Sequence, residues 1–177
     1  MKTLTEHINE ALKIGKNLSE WSAYSCQPKT KKELEHIIED RISEQGNKCD
    51  LNDIDVSLID DMSYLFCSSK FNGDISEWNV SNVTNMECMF NNSSFNGDIS
   101  RWNIRNVENM WFMFAYSKFN QDISKWVVSN VINMEGMFTR SKFNKDISNW
   151  KINKNCNTSN MFFDCPIKEE YKPKLPR

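Results

Sequence analysis

One aspartate recurs every 24 residues and is the residue in this sequence best placed to do chemistry. The four copies, each two positions after an asparagine, are Asp74, Asp98, Asp122 and Asp146. Such a row could hold calcium between repeats, although calcium-binding repeat arrays usually offer denser carboxylates and more glycine. We favour a structural interpretation, in which each carboxylate accepts backbone N–H groups of its own turn. The same role is predicted for the recurring asparagines, which are Asn82, Asn85, Asn106, Asn109, Asn130 and Asn133.

The histidines and cysteines form no recognisable catalytic or metal-binding motif. His7 and His36 lie in segments predicted to be helical, far in sequence from any other reactive cluster. The six cysteines lack the paired spacing of a zinc or redox site, and three stand where other repeats carry small residues: Cys49, Cys88 and Cys165. We therefore predict free thiols, no metal, no cofactor and no enzymatic activity, in a reducing compartment.

Length and charge narrow the class of protein further. The chain has 177 residues, which fits one domain, and a formal net charge of −2, which argues against a general nucleic-acid binder. Residues 1–16 lack the uninterrupted apolar run of a signal peptide, and no later stretch is long enough to cross a bilayer. The sequence therefore predicts a cytoplasmic protein that binds neither nucleic acid nor membrane.

The elements that must position these residues come from a repeated 24-residue phrase. A fixed period of this length is typical of a solenoid, whose units bury their apolar faces against one another. The alternation at Trp78 and Val80 predicts a short strand, and the spacing of Val83, Met86 and Met89 predicts a short helix. We therefore predict an α/β repeat of about five strand–helix units over residues 49–165. One inward position of the strand should form a buried column of Trp78, Trp102, Trp126 and Trp150.

The segments on either side of the repeats differ from them. Residues 1–48 are predicted to form a helical N-terminal cap. Its first helix carries the apolar stripe Leu4, Ile8 and Leu12. Its second helix begins with the capping box from Thr30 to Glu33 and ends at Gly46. Residues 166–177 are predicted to be a loosely attached C-terminal tail.

The repeated phrase also resembles a known family. The pattern Phe-Asn-x-Asp-Ile-Ser-x-Trp-x-Val-Ser-Asn-Val-x-Asn-Met-x-x-Met-Phe is similar to the BspA-like leucine-rich-repeat family of bacterial and mycoplasma surface proteins. The resemblance covers about residues 30–165. It implies a leucine-rich-repeat-like solenoid used for protein binding, often in adhesion. Members of this family also occur in phages and other mobile elements, which implies that an intracellular role is possible.

Two groups of outward residues break the repeat pattern and are candidate protein-binding sites. The first is an apolar patch made of Trp111, Phe112, Tyr116 and Ile132, at positions where the other repeats carry mostly small or polar residues. The second is a strip on which acidic residues give way to basic ones, and we assign to it Arg101, Arg105, Lys125 and Val127.

These observations predict a non-catalytic protein-binding solenoid. An intracellular inhibitor or adaptor, of a kind that a phage or mobile element could encode, is the form we favour, with a protein partner that the sequence does not identify. Two alternatives remain, a bacterial surface adhesion protein whose export signal is absent here, and an enzyme with an unrecognised site. The oligomeric state is left open.

Overall fold

The computed structural model describes residues 25–176, and their regular structure is sparse. It consists of one α-helix, α1 (Lys31–Gln45), and one short 3-10 helix (Glu169–Tyr171). No β-strand forms within residues 25–176, where parallel pairing is limited to isolated bridges. The prediction of an α/β solenoid of strand–helix units, and with it the leucine-rich-repeat-like solenoid, is therefore wrong.

Helix α1 begins and ends where the sequence predicts. The Thr30 side chain accepts a hydrogen bond from the Glu33 N–H at 3.2 Å, and the Glu33 carboxylate in return accepts the Lys29 N–H at 2.7 Å. Gly46 ends the helix with φ +84°, and its N–H donates to the Ile42 carbonyl. The second predicted helix is confirmed. The first, with Leu4, Ile8 and Leu12, lies outside the described residues.

The repeats stack as layers, each offset from the next by 24 residues. We define layers 1 to 5 as residues 47–70, 71–94, 95–118, 119–142 and 143–166, and we call residues 24 apart a row. The register is visible in the parallel bridges that join Asp61 to Asn85, Asn85 to Asn109, Asn109 to Asn133, and Asn133 to Asn157. Equivalent positions of successive repeats therefore lie one above another along the stack.

Each layer is a series of tight turns in which alternate N–H groups have different partners. In layer 2 the N–H groups of Met89, Asn91 and Ser93 donate to carbonyls three residues earlier. The N–H groups between them donate instead to layer 3: Cys88 to Trp111 at 2.8 Å, and Phe90 to Met113 at 2.9 Å. A helix would use every N–H within its own turn. The segment predicted as helical therefore contributes half of its donors to the neighbouring layer.

Left-handed backbone at two rows prevents that segment from becoming a helix. In layer 2 the two residues are Cys88, with φ 51°, and Asn92, with φ 52°. A single left-handed residue ends a run of right-handed turns, and here one occurs every four residues. The complete set is Tyr64, Cys88, Phe112, Gly136 and Asn160 in one row, and Ser68, Asn92, Tyr116, Arg140 and Asp164 in the other.

Aromatic columns fill the space inside the turns. The predicted tryptophan column is confirmed: all four side chains are buried, and the ring centroids are 6.5 Å apart for Trp78 and Trp102 and 6.4 Å apart for Trp126 and Trp150. Each indole N–H donates to a carbonyl 27 residues earlier, as Trp102 does to Ile75 at 3.1 Å. Two phenylalanine columns lie beside it, made of Phe66, Phe90, Phe114, Phe138 and Phe162, and of Phe71, Phe95, Phe119 and Phe143.

The two ends of the stack are closed by different means. At the N-terminal end Leu34 and Ile38 of α1 are buried in the common core, and Arg41 pairs with Asp53 of layer 1 at 2.6 Å. At the C-terminal end residues 166–176 extend the stack, because Ile167 is buried and the Ile147 N–H donates to the Tyr171 carbonyl. The expectation that this tail is loosely attached is wrong.

We predict that Trp102→Phe removes about 0.5–1.5 kcal/mol of stability beyond the loss of ring packing, because the Ile75 carbonyl loses one of its two donors and keeps only the Trp78 N–H at 3.2 Å. The control is Trp111→Phe, whose half-buried indole has no N–H acceptor in the described part of the chain. Urea unfolding of both variants measures the difference. Equal losses of unfolding free energy would show that the hydrogen bond contributes nothing beyond ring packing.

Candidate functional site

The recurring aspartates are held in place by their own turns. In each repeat Oδ1 accepts the N–H of the serine two residues later at 2.9 Å, as Asp74 does from Ser76 and Asp98 from Ser100. These backbone hydrogen bonds hold the pKa of Asp74 and Asp98 below its ordinary value. The pKa of Asp122 is lowered in the same way, and that of Asp146 first by the Ser148 hydroxyl and then by its N–H. The structural interpretation of the row is confirmed.

The surface beside this row has a mixed charge. Lys145 lies in the shallow hollow between Asp122 and Asp146, together with Ser124, Ser148 and Asn149. The cationic side chain lowers the pKa of Asp122 further, as Lys125 does. Within residues 25–176 no three histidine, cysteine, aspartate or glutamate side chains come together as a cluster able to hold a metal ion.

The recurring asparagines saturate backbone groups between and within layers, as predicted. Asn106 donates from Nδ2 to the Ser81 carbonyl of the layer before, at 2.7 Å, and Asn82 and Asn130 make the equivalent bond. In the bridge row, Asn109 Oδ1 accepts the Trp111 N–H at 3.1 Å, and Asn85 and Asn133 repeat that contact. These side chains are therefore part of the scaffold.

The cysteines and the described histidine do not form a reactive centre. All six cysteines are free. Burial raises the pKa of the Cys88 and Cys156 thiols to about 11, so both are protonated and weak nucleophiles near neutral pH. His36 lies on the surface of α1, with Nε2 3.7 Å from Asp40 Oδ2. His7 lies outside the described residues.

The apolar patch predicted from the sequence divides into two parts in the structure. The first part packs within the chain: Trp111 and Phe112 are half-buried and make an edge-to-face contact with centroids 4.9 Å apart. Phe112 covers Gly136 of the next layer so closely that a Cβ added there would lie 2.5 Å from Phe112 Cε2. Phe112 therefore fills a space that the glycine leaves, and is not directed at solvent.

The second part of the patch faces solvent. Tyr116 is 48% exposed and Ile132 of the next layer is 52% exposed. In the described part of the chain, neither Trp111 Nε1 nor the Tyr116 hydroxyl has a hydrogen-bond partner. Exposed apolar area that carries an unpaired polar group is typical of tryptophan and tyrosine at protein interfaces.

The residues of the predicted basic strip are all exposed. They are Arg101, Arg105 and Lys125, with Val127 38% exposed. Arg101 and Glu77 of the preceding layer approach to 3.8 Å as an exposed ion pair, an arrangement that contributes little to stability.

Three exposed apolar residues were missed by the sequence analysis. Leu58 is 51% exposed, Tyr64 48% and Phe163 55%. Leu58 and Phe163 both differ from the other residues of their rows. The other layers carry mainly asparagine at the position of Leu58 and mainly small residues at the position of Phe163. The same row comparison that singled out Tyr116 could have found them, had it been carried through the first and last layers.

The geometry defines a class of protein in which turn-based repeats form a stack with a variable outer surface. The chain belongs to the family described as Mycoplasma protein of unknown function, DUF285, whose family model matches residues 32–140 and 115–169. This confirms the family resemblance at a coarse level. The family description gives no support to a role as an inhibitor, to a phage origin or to a cytoplasmic location.

The remaining comparisons add no relative. Neither the search of curated proteins nor that of solved structures returned a match. Among the described helices, none has the length and apolar content required to cross a membrane.

We predict that Gly136→Ala destabilises the protein by about 1–3 kcal/mol, because a Cβ at Gly136 would lie 2.5 Å from Phe112 Cε2 and the Phe112 ring would have to move. The control is the same substitution in a Phe112→Ala background, where the backbone strain at φ 61° is unchanged and the close contact is absent. Thermal unfolding in both backgrounds measures the difference. Equal losses would mean that Phe112 shifts at no cost.

We also predict that acid destabilises the protein partly through the aspartate row. A folded-state pKa below the unfolded value of about 3.9 stabilises the fold above that pH, and this contribution is lost as the pH falls through the folded pKa. Asp98→Asn should therefore show a shallower loss of stability below about pH 4 than the unmodified chain. Asp60→Asn, an exposed position on another surface, is the control, and identical acid profiles for all three proteins would contradict the prediction.

Proposed function

We propose that this protein is a non-catalytic protein-binding module of the BspA-like type, and that its contact surface is centred on Tyr116 and Ile132 with Trp111 at the edge. The described part of the chain offers a stack of hydrogen-bonded turns with a varied exterior, and it has no cluster of histidine, cysteine or acidic side chains able to hold a metal ion. Rigid repeats with variable surface rows are typical of proteins that recognise other proteins.

One observation carries this proposal. Four large side chains occupy the left-handed rows, and three of them have a partner within the chain. Tyr64 donates to Glu87 at 2.6 Å, Phe112 covers Gly136, and Arg140 pairs with Asp164 at 3.3 Å. Tyr116 is the fourth, and among the described residues its side chain makes no hydrogen bond, ion pair or ring contact. Its ring is therefore available to a partner.

A role as an inhibitor or adaptor inside the cell is the form of binding that we propose. The six free cysteines fit a reducing compartment. Surface adhesion and an unrecognised enzymatic activity stay alternatives that no observation in the structure favours.

The proposal is tested by a double variant with a matched control. A partner is first captured from a host lysate and identified, and its affinity is then measured by calorimetry. We predict that Tyr116→Ala with Ile132→Ala weakens binding by about 2–4 kcal/mol, as for aromatic anchors, with little change in stability. The control is Tyr64→Ala with Leu58→Ala, since these side chains have nearly the same exposures, 48% and 51%.

Unchanged affinity in the Tyr116 and Ile132 variant would contradict the proposed surface. If that variant binds normally and the double variant Arg101→Ala with Lys125→Ala binds more weakly, the binding site is the basic strip. If the first variant unfolds at a markedly lower temperature while binding per folded molecule is intact, the patch is structural.

A further inference from the structure

The C-terminal end of the stack presents a row of backbone N–H groups without acceptors. Four rows, those that contain Met134, Gly136, Phe138 and Arg140, connect each layer to the next. In layers 1 to 4 every backbone N–H in these rows donates to a carbonyl of the next layer, as Gly136 does to Ser159 and Phe138 to Met161, each at 2.9 Å. The corresponding groups of layer 5, which we call the donor edge, belong to Thr158, Asn160, Phe162 and Asp164. No acceptor within residues 25–176 meets any of them.

The segment that extends the stack does not cover the donor edge. Residues 166–176 lie over other rows, where Ile167 continues the Phe143 row and Tyr171 accepts the Ile147 N–H. Asn160 and Asp164 remain exposed, and Phe163 between them is 55% exposed. Within residues 25–176, this part of layer 5 is therefore accessible to a partner.

The edge differs from an ordinary strand edge because it shows donors alone. The carbonyls of Asn157, Ser159, Met161 and Phe163 point back into the stack and accept hydrogen bonds from layer 4. A β-strand added here would bring its own N–H groups against this row of donors. Groups that only accept, such as carboxylates, fit a row of N–H donors better.

Formal charge favours the same ligand. Residues 25–97 carry six lysines and arginines against thirteen aspartates and glutamates, whereas residues 98–176 carry twelve against eight. At the donor edge itself, Lys172 Nζ lies 5.7 Å from the centre of the Phe162 ring, and it also pairs with Glu169. The nearest acid on the edge, Asp164, is held by Arg140 at 3.3 Å. The donor edge thus combines aligned N–H dipoles with a position in the half of the chain that has the positive formal charge, twelve cationic against eight acidic residues.

We propose that the donor edge binds the carboxylates of an acidic segment in a protein partner. The main-chain N–H groups of Asn160, Phe162 and Asp164 donate to those carboxylates, Lys172 supplies charge, and Phe163 offers apolar contact. The site lies at the end of the stack, apart from the surface around Tyr116, and does not depend on the function proposed for that surface.

The test uses the full chain labelled with nitrogen-15 and a hexaglutamate peptide as the probe. Titration should shift the amide signals of Asn160, Phe162 and Asp164 in a saturable manner. Gly136, Phe138 and Arg140, one layer earlier in the same rows, are internal controls because their N–H groups already have acceptors. A neutral hexaglutamine peptide should leave all six signals unchanged, and about 0.5 M salt should weaken the glutamate effect, since exposed charges are screened.

Variants test the contribution of charge. Lys172→Gln should weaken hexaglutamate binding about two- to five-fold, the range of a single exposed ionic contact, whereas Lys70→Gln at the other end should have no effect. Equal shifts with hexaglutamine, shifts confined to other residues, or no shifts at millimolar peptide would each overturn the proposal. Shifts at the edge that depend on protein concentration without peptide would assign it to a second copy of the chain and would also overturn it.

Discussion

The 24-residue register of hydrogen bonds between layers is the constraint on which the rest of the structure depends. Four N–H groups of each layer donate to the next along one wall, from Met62, Tyr64, Phe66 and Ser68 onwards. At about 0.5–1.5 kcal/mol net per bond, one layer boundary gains on the order of 2–6 kcal/mol, so an insertion of a single residue in this wall would disrupt a large fraction of the stability. Regular strands and helices are unnecessary because turns and cross-layer bonds together satisfy these backbone groups.

Packing follows from the same register. Equal rings in successive layers are nearly parallel, as Phe90 and Phe114 are, with centroids 5.6 Å apart and an interplanar angle of 2°. A second contact within each layer boundary, such as Phe90 with Phe95 at 4.4 Å, joins the two phenylalanine columns. Apolar burial therefore increases with each added layer, and the ends need separate protection, which α1 and residues 166–176 provide.

Four features could be predicted from the sequence: the 24-residue period, the buried tryptophan column, α1 and the turn role of the aspartates. Each of them depends on local spacing or on an environment that is the same in every repeat. The sequence misled on secondary structure because Val83, Met86 and Met89 have a helix-like spacing, while the decisive feature is the left-handed backbone at Cys88 and Asn92. Only four of the ten residues in those rows are asparagine, aspartate or glycine, which favour a positive φ; the others are tyrosine, cysteine, phenylalanine, serine and arginine, so residue type gives an incomplete sign of it. The family resemblance was predictable at a coarse level from the repeated phrase. Among the candidate site residues, a comparison of rows could find Tyr116, but it could not show that Phe112 covers Gly136, which depends on contact between layers.

The left-handed rows also indicate where the chain carries residues for reasons other than its own stability. A non-glycine residue in this region costs about 1–2 kcal/mol, and asparagine, as at position 92, tolerates it best. Tyr64, Phe112 and Arg140 each offset that cost through a contact within the chain. Tyr116, with φ 58° and about half of its surface exposed, has no such contact in the described residues. At Tyr116 the bond from its N–H to the Thr139 carbonyl, 2.8 Å long, holds the left-handed conformation, and the side chain adds no hydrogen bond, ion pair or ring contact among the described residues. Because the register alone supports this conformation, the exposed ring is the one whose removal should cost the stack least.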